Sequence, residues 1–448
     1  MIRIATYLIL ILLFTQCKQD SQSTQETSRP NIVLIMADDM GYESLSVNGS
    51  TEYLTPNLDR LATQGIRFTN CYSQPLCTPS RVKIMTGKHN YRNYEDFGYL
   101  NPQEITFGNL LKNTGYKTMI AGKWQLNGLN RDNPDNQDIE RPYEFGFDEY
   151  CLWQLNRTRA EGERFADPLI TQNGKDLPRD PDAYGPRIFA DYVIDFIERN
   201  SEEPFFIYYP MVLVHDPFVP TPDSEAWKDP ARRYEKDTVY YADMMAYTDK
   251  IIGQIEAKLK EKGVWDNTLF LFTADNGTNV KIKSETTTGI VWGAKGKTIN
   301  TGNHVPFIAT WPDRIKQAAV FDGMVDFADF LPTLADAGGV AAKDYTSDGK
   351  SFYPFLAGQI KSTKDQVFIH YTPRWGSMDH DRWVMDNEYK LYQDGRFFRT
   401  SVDPLEQQPI ENLSESELAI KNNFQKILDQ KEADIPYALN DESFKVNQ

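Results

Sequence analysis

The 448 residues carry 48 Lys and Arg against 64 Asp and Glu, a net charge of -16. That balance excludes a nucleic-acid binder, because a phosphate backbone is held by clustered cations, but it leaves room for a small anionic substrate if a metal supplies local positive charge. With 40% hydrophobic, 25% charged and 13% aromatic residues, the chain has ample core material and the length for one large domain plus a smaller one.

Residues 1–17 read as an export leader: Arg3 is a short positive region, and Tyr7–Phe14 (YLILILLF) is an apolar stretch too short to span a bilayer. Cys17 closes the run LFTQC, which resembles a bacterial lipoprotein box in its Leu13, although Gln16 is larger than the small residue usual there. Lipid anchoring at Cys17 and ordinary cleavage nearby are the alternatives; either takes the chain out of the cytoplasm, to the periplasm or cell surface. Residues 18–29, polar and rich in Ser, Gln and Thr, read as a flexible tether. The other cysteines, Cys71, Cys77 and Cys151, lack metal-type spacing; Cys71 and Cys151 either pair or stay buried thiols.

The apolar run Ile32–Met36 predicts a strand buried on both faces that stops at Ala37-Asp38-Asp39-Met40-Gly41. A helix is expected over Asn57–Gln64, a strand over Lys117–Ala121 before Gly122, a helix over Ile188–Arg199 and a strand over Pro204–Val214. An amphipathic helix over Tyr240–Lys262 precedes a strand over Thr268–Thr273, which ends at Ala274-Asp275-Asn276-Gly277. This alternation implies an α/β fold over residues 30–350, a mostly parallel sheet sandwiched by helices. Functional groups of such sheets gather beyond the carboxyl ends of the strands, where Asp38, Asp39, Lys123, His215, Asp275 and Asn276 fall. Residues 351–448 differ in character: short segments at Gln366–Tyr371, Arg382–Met385, Lys390–Gln393 and Arg396–Thr400 predict a smaller C-terminal antiparallel sheet, and Ser414–Lys431 a packing helix.

Three groups of residues carry chemistry. Cys77-Thr78-Pro79-Ser80-Arg81 with Thr86-Gly87 reads C-x-P-S-R-x-x-x-x-T-G. Asp38, Asp39, Asp275 and Asn276 are oxygen ligands suited to a hard divalent cation, which takes ~6 to 8 oxygens. Arg81, Lys123, His215 and Lys295 are cationic or ionisable groups beside strand ends, placed to stabilise charge on an anion.

The cysteine motif resembles the signature of formylglycine-dependent sulfatases, complete at its fixed positions, and A-D-D-x-G, D-N-G and Asp403-Pro404-Leu405-Glu406 extend the resemblance over most of the chain. It implies an alkaline-phosphatase-like fold. It implies Cys77 oxidised to formylglycine by a formylglycine-generating or anaerobic maturating enzyme, and one Ca2+ held by Asp38, Asp39, Asp275, Asn276 and residue 77. Arg81 and Lys123 are then expected to hold the formylglycine and sulfate, Lys295 the sulfate and leaving oxygen, Asp275 to act as base and His215 as acid. The expected reaction is hydrolysis of sulfate esters, on a sulfated carbohydrate in view of export and aromatic content. The alternatives are a phosphonate or phosphodiester hydrolase on the same scaffold and a non-catalytic binder of sulfated glycans.

Two departures stand out. The family pattern G-K-W-H appears here as Gly122-Lys123-Trp124-Gln125, and Gln cannot act as a base near neutral pH. Between Lys295 and Pro306 the family's Glu and Arg are missing, and His304 is a second candidate to face the pocket. His89, Arg92, Arg374 and Trp375 either grip a sugar or carboxylate or serve packing.

Overall fold

The computed structural model describes residues 29–129, 134–158, 163–315, 318–361 and 363–434. The leader, Cys17 and the tether up to residue 28 lie outside the described residues. No helix among the described residues is long and apolar enough to cross a membrane.

The strands in chain order are β1 Asn31–Ala37, β2 Ile66–Tyr72, β3 Lys117–Lys123, β4 Glu149–Trp153, β5 Ile170–Gln172, β6 Lys175–Asp176, β7 Phe205–Pro210, β8 Thr268–Ala274, β9 Lys283–Thr286, β10 Gly289–Trp292, β11 His304–Thr310 and β12 Ala319–Asp326, followed by β13 Val367–Tyr371, β14 Asp381–Met385, β15 Lys390–Tyr392 and β16 Phe397–Phe398. Ten of them form one sheet in the order β12-β2-β11-β8-β1-β7-β3-β4-β5-β6. Its centre, β8-β1-β7-β3-β4, is parallel. Every residue of β1, β7 and β8 is buried, which is why those strands read as unbroken apolar runs instead of alternating ones. Helices Gly185–Asn200 and Tyr240–Glu261 are amphipathic and bury Phe189, Val193, Ile252 and Ile255 in the core that covers this sheet.

The flanks depart from the parallel pattern. Strand β11 runs antiparallel to both β8 and β2, and β5 and β6 close the other edge antiparallel. The predicted strand Pro204–Val214 is shorter, because the chain leaves the sheet after Pro210 and turns toward His215. The four strands β13-β14-β15-β16 form a separate antiparallel sheet, and helix Glu415–Asp434 packs Phe424 and Leu428 against Phe368, Val384 and Leu391 of it. Cys71 and Cys151 are both free and buried, so the pairing alternative does not hold.

Candidate active site

Register puts the site together. Ala37 of β1 pairs in parallel with Ala274 of β8, so Asp38 and Asp275 leave the same sheet edge at the same level. The ladder continues into the loops: Asp275 N donates to Ala37 O (2.9 Å), Asp38 N to Leu213 O (2.8 Å) and Val214 N to Asp38 O (2.8 Å). Lys123 ends β3, whose Ile120 pairs with Tyr208 of β7, while Met36 pairs with Pro210; Lys123 therefore reaches the same edge. Gly277 lets the next segment approach, since a Cβ there would lie 1.9 Å from the Thr301 carbonyl oxygen.

The cysteine motif is a buried helix, Cys77–Thr86, with Cys77 at its first position. Each fixed residue has a physical task. Pro79 lies in the first turn, where a missing N–H is tolerated. Ser80 Oγ accepts from Gln74 N (2.9 Å) and donates to Leu76 O (2.9 Å), folding the entry strand over the helix start. Thr86 Oγ1 donates to Val82 O (2.6 Å) and accepts from Asn93 (2.6 Å). Gly87 caps the helix at φ +66°, where a side chain would be strained.

Arg81 projects from this helix into the oxygen cluster, with Nη2 3.0 Å from Asp275 Oδ2 and Nη1 donating to Lys123 O (3.2 Å). Lys123 Nζ donates to Asp38 Oδ2 (2.8 Å), and Lys295 Nζ reaches Asp39 Oδ2 (2.8 Å) and His215 Nε2 (2.9 Å). Asp38, Asp39, Asp275 and Asn276 are all fully buried, and ligating atoms of Asp38, Asp39 and His215 lie within 4.8 Å of one another. All eight predicted groups and Cys77 thus come together, from the ends of β1, β3, β7 and β8 and the segments that follow them, from the cysteine helix and, for Lys295, from the loop after β10.

Two oxygens in this cluster, Asp38 Oδ1 and Asn276 Oδ1, are buried without a hydrogen-bond partner among the described residues. Orphaned buried oxygens are costly, and a set built from carboxylate and amide oxygens fits a hard cation such as calcium. Burial would raise the Asp38 carboxyl, but Lys123, His215, Arg81 and Lys295 hold it well below the usual range. Asp275 is pushed the other way by burial and by Asp38, against Arg81 and Lys123. Burial lowers His215, assisted by Lys295 against the opposing pull of Asp39. Its Nδ1 faces the Asp216 carbonyl oxygen at 2.6 Å, which places the proton there and leaves Nε2 to accept from Lys295. Asp39, Asp38 and the Cys77 sulfur outweigh burial at Lys295 and keep its ammonium above its ordinary range.

Cys77, 3% exposed, opens on a cavity of about 460 Å³. Its lining combines polar groups, Lys123, Gln125, Gln154, Thr158, His215 and Lys295, with apolar ones, Leu76, Phe97, Leu129, Trp375 and Met378. Gln125 Oε1 accepts from Cys77 Sγ at 3.9 Å, so the residue that departs from the family pattern does touch the nucleophile position. His304 does not line the cavity. It is stacked between Tyr42 and Tyr72 (ring centroids 4.3 and 5.1 Å), with Nε2 donating to Thr69 O (2.7 Å). His89 is buried against Phe368, and Arg92 pairs with Asp348 at the surface, so neither reaches the cavity. Trp375 does. Trp153, Gln154, Thr158 and Arg164 also line it and were not singled out from sequence, because Glu149–Trp153 lacks the long apolar signal of the central strands.

The Sulfatase family model matches residues 30–340, and a model described as N-sulphoglucosamine sulphohydrolase, C-terminal, matches residues 292–434. Human arylsulfatase A is 30% identical over 369 residues, covering 76% of this chain and 70% of its own. The N-acetylgalactosamine-6-O-sulfatase of Bacteroides thetaiotaomicron is 29% identical over 434 residues, covering 80% and 82%. A solved structure described as being in complex with its substrate D-glucosamine-2-N,6-O-disulfate superposes with a TM-score of 0.71 at 23% identity, covering 94% of this chain and 100% of that one, a likeness of fold.

Proposed function

The chain belongs to the sulfatase family and is a sulfuric ester hydrolase of alkaline-phosphatase-like fold, and from that premise we propose that it acts on sulfated carbohydrates through Cys77 converted to formylglycine and one calcium ion. The observation that carries this reading is the convergence of Cys77, Lys123, His215 and Lys295 on one cavity beside four buried oxygen ligands. The sugar-sulfate activities named for the similar N-acetylgalactosamine-6-O-sulfatase and for the disulfated-glucosamine complex support the carbohydrate assignment.

Asp38, Asp39, Asp275 and Asn276 are the residues that would hold calcium, which supplies Lewis-acid charge to a sulfate oxygen when bound. Formylglycine at position 77 would supply, as its hydrate, two hydroxyls on one carbon: a nucleophile and an internal route to release of the sulfate. The protein's own residues do the rest. Arg81 and Lys123 orient Asp275 and Asp38 and add fixed positive charge that needs no reorganisation during reaction. His215, the expected acid, has its Nε2 engaged by Lys295 at 2.9 Å, so in this arrangement the pair offers the leaving oxygen a fixed Lys295 ammonium as charge stabilisation, and His215 orients that ammonium. Gln125 fixes residue 77 by hydrogen bonding and cannot take its proton.

The same reading places the protein outside the cytoplasm, with a lipid anchor at Cys17, and requires a maturating enzyme as a partner. Residues 30–350 then form the catalytic domain and 351–448 a subdomain that contributes Trp375 and Met378 to the cavity wall. The test is sulfate release from sulfated hexoses, an aryl sulfate and an aryl phosphodiester, together with the intact mass of protein from its native host. Formylglycine makes the chain about 18 Da lighter than the cysteine form. Sulfate release that is lost in Cys77→Ala is the expected result; preference for the phosphodiester, or an unmodified Cys77 in protein without sulfatase activity, refutes the reading.

A further inference from the structure

Beyond the sulfate-binding end, the cavity has a wall whose construction bears on what carries the sulfate. Trp375 is 43% exposed and borders the cavity, with its ring stacked on Phe97 at 4.3 Å between centroids and 30° between planes. Phe97 is 7% exposed. An exposed tryptophan on a loop is ordinarily uninformative. This one is pinned.

The loop between β13 and β14 is tied to the segment that follows the cysteine helix. Tyr94 OH donates to Pro373 O (2.7 Å), and Arg374, at φ +48°, donates from Nη1 to Glu95 O. Gly98 N in turn donates to Thr78 Oγ1 (3.2 Å), next to Cys77. Two backbone carbonyls, an aromatic stack and a hydrogen bond to the nucleophile helix thus fix the Trp375 ring relative to residue 77. A ring held in that way gives up little freedom when a ligand lies on it.

Gln125 and Gln154 also line the cavity, and a small turn of the Gln154 side chain brings its amide to a ligand there. Gln154 Oε1 is buried with no hydrogen-bond partner among the described residues. A flat apolar ligand would leave that acceptor unpaired, at a cost. A pyranose offers both things the cavity asks for, an apolar C–H face for the indole and hydroxyl donors for the amide.

We propose that Trp375, backed by Phe97, is the specificity platform of this enzyme, taking the C–H face of the sulfated pyranose while Gln154 accepts from one of that ring's hydroxyls. This rests on the sulfated-carbohydrate reading above and names the side chains that favour a sugar over an aryl or steroid carrier of the sulfate.

The test uses the full, matured protein with calcium and four forms: wild type, Trp375→Ala, Trp375→Phe and Gln154→Met. Initial rates are measured on a panel of hexose and hexosamine monosulfates, on glucosamine 2-N,6-O-disulfate and on 4-nitrophenyl sulfate. For the sugar the wild type prefers, Trp375→Ala raises KM at least about tenfold with a much smaller change in kcat, and Trp375→Phe restores most of the loss. Gln154→Met lowers the sugar-over-aryl ratio of kcat/KM at least about tenfold. A second readout needs no turnover: in Cys77→Ala protein the preferred sugar sulfate changes tryptophan emission, and in Cys77→Ala with Trp375→Phe that change falls by more than half, the remainder coming from Trp153 in the same cavity. If Trp375→Ala fails to fold by circular dichroism, Trp375→Phe emission and Gln154→Met selectivity decide the matter. Sugar turnover by the wild type with unchanged KM in folded Trp375→Ala, or an unchanged ratio in Gln154→Met, overturns the platform alone. Matured wild type that releases sulfate from no ester overturns the underlying function instead.

Discussion

Glu406, the last residue of the Asp403-Pro404-Leu405-Glu406 motif, holds a buried charge pair whose loss has a calculable effect. Its side chain is 1% exposed and Lys390's is 0%, with 2.9 Å between Lys390 Nζ and Glu406 Oε1. Glu406 also accepts from Asn300 N (2.9 Å) and from Tyr392 OH, while Lys390 donates to Thr298 O (2.5 Å). The pair therefore clamps the C-terminal sheet to the segment that follows Lys295. Replacing Glu406 by Gln keeps the shape and removes the charge, leaving the Lys390 ammonium buried against a neutral amide; burial already depresses Lys390. Breaking a buried pair from one side costs about 3–5 kcal/mol. At about 2.1 cal/mol/K of unfolding entropy per residue, a chain of 448 residues loses about 3–5 °C in Tm for that cost. Thermal denaturation of wild type, Glu406→Gln and Glu406→Gln with Lys390→Met measures it. Because the double variant removes the stranded charge, it is expected to recover at least half of the loss. A single variant within about 1 °C of wild type, or a double variant no better than the single, refutes the buried-charge account.

Removing calcium with a chelator is expected to abolish sulfate release and lower Tm, with calcium restoring both; at a hundredfold excess over Kd the ion contributes about 2.7 kcal/mol. Retained activity in chelated protein counts against the oxygen cluster as a metal site. Gln125→Leu, which removes the hydrogen bond to residue 77, is expected to lower kcat about tenfold with little change in KM; an unchanged kcat means the amide takes no part. Burial pushes His304 down to about 4, against the pull of the Thr69 carbonyl. Its folded pKa lies below the unfolded value, so the unfolded chain binds the extra proton and stability falls as pH drops from about 6.5 to 4, by about 2–3 kcal/mol at most. The difference in denaturation midpoint between wild type and His304→Phe, followed across that range, measures this share; identical slopes refute it.

The sequence alone determined the parts of this protein whose causes are local. Strands β1 and β8 are legible because double-sided burial demands unbroken apolar runs, and the acids that end them are legible because a buried strand gives way to polar groups where the sheet stops. The cysteine motif is legible through its resemblance to the sulfatase signature, and the structure adds why its fixed residues are needed: Ser80, Thr86 and Gly87 each serve a turn or cap of the cysteine helix. Tertiary structure decided what depends on register and on approach across the chain. Strand β11 contains Pro306, and β12 contains Asp322-Gly323 with a register shift between Phe321 and Met324, so neither carries a clean strand pattern; their places come from pairing with β2 and β8. His304 and Trp375 were both open questions in the sequence, as a polar ring and an aromatic near catalytic motifs. A stack between two tyrosines took the first away from the cavity, and a tie to the nucleophile helix brought the second to its wall, because partners distant in the chain fix which way a side chain faces.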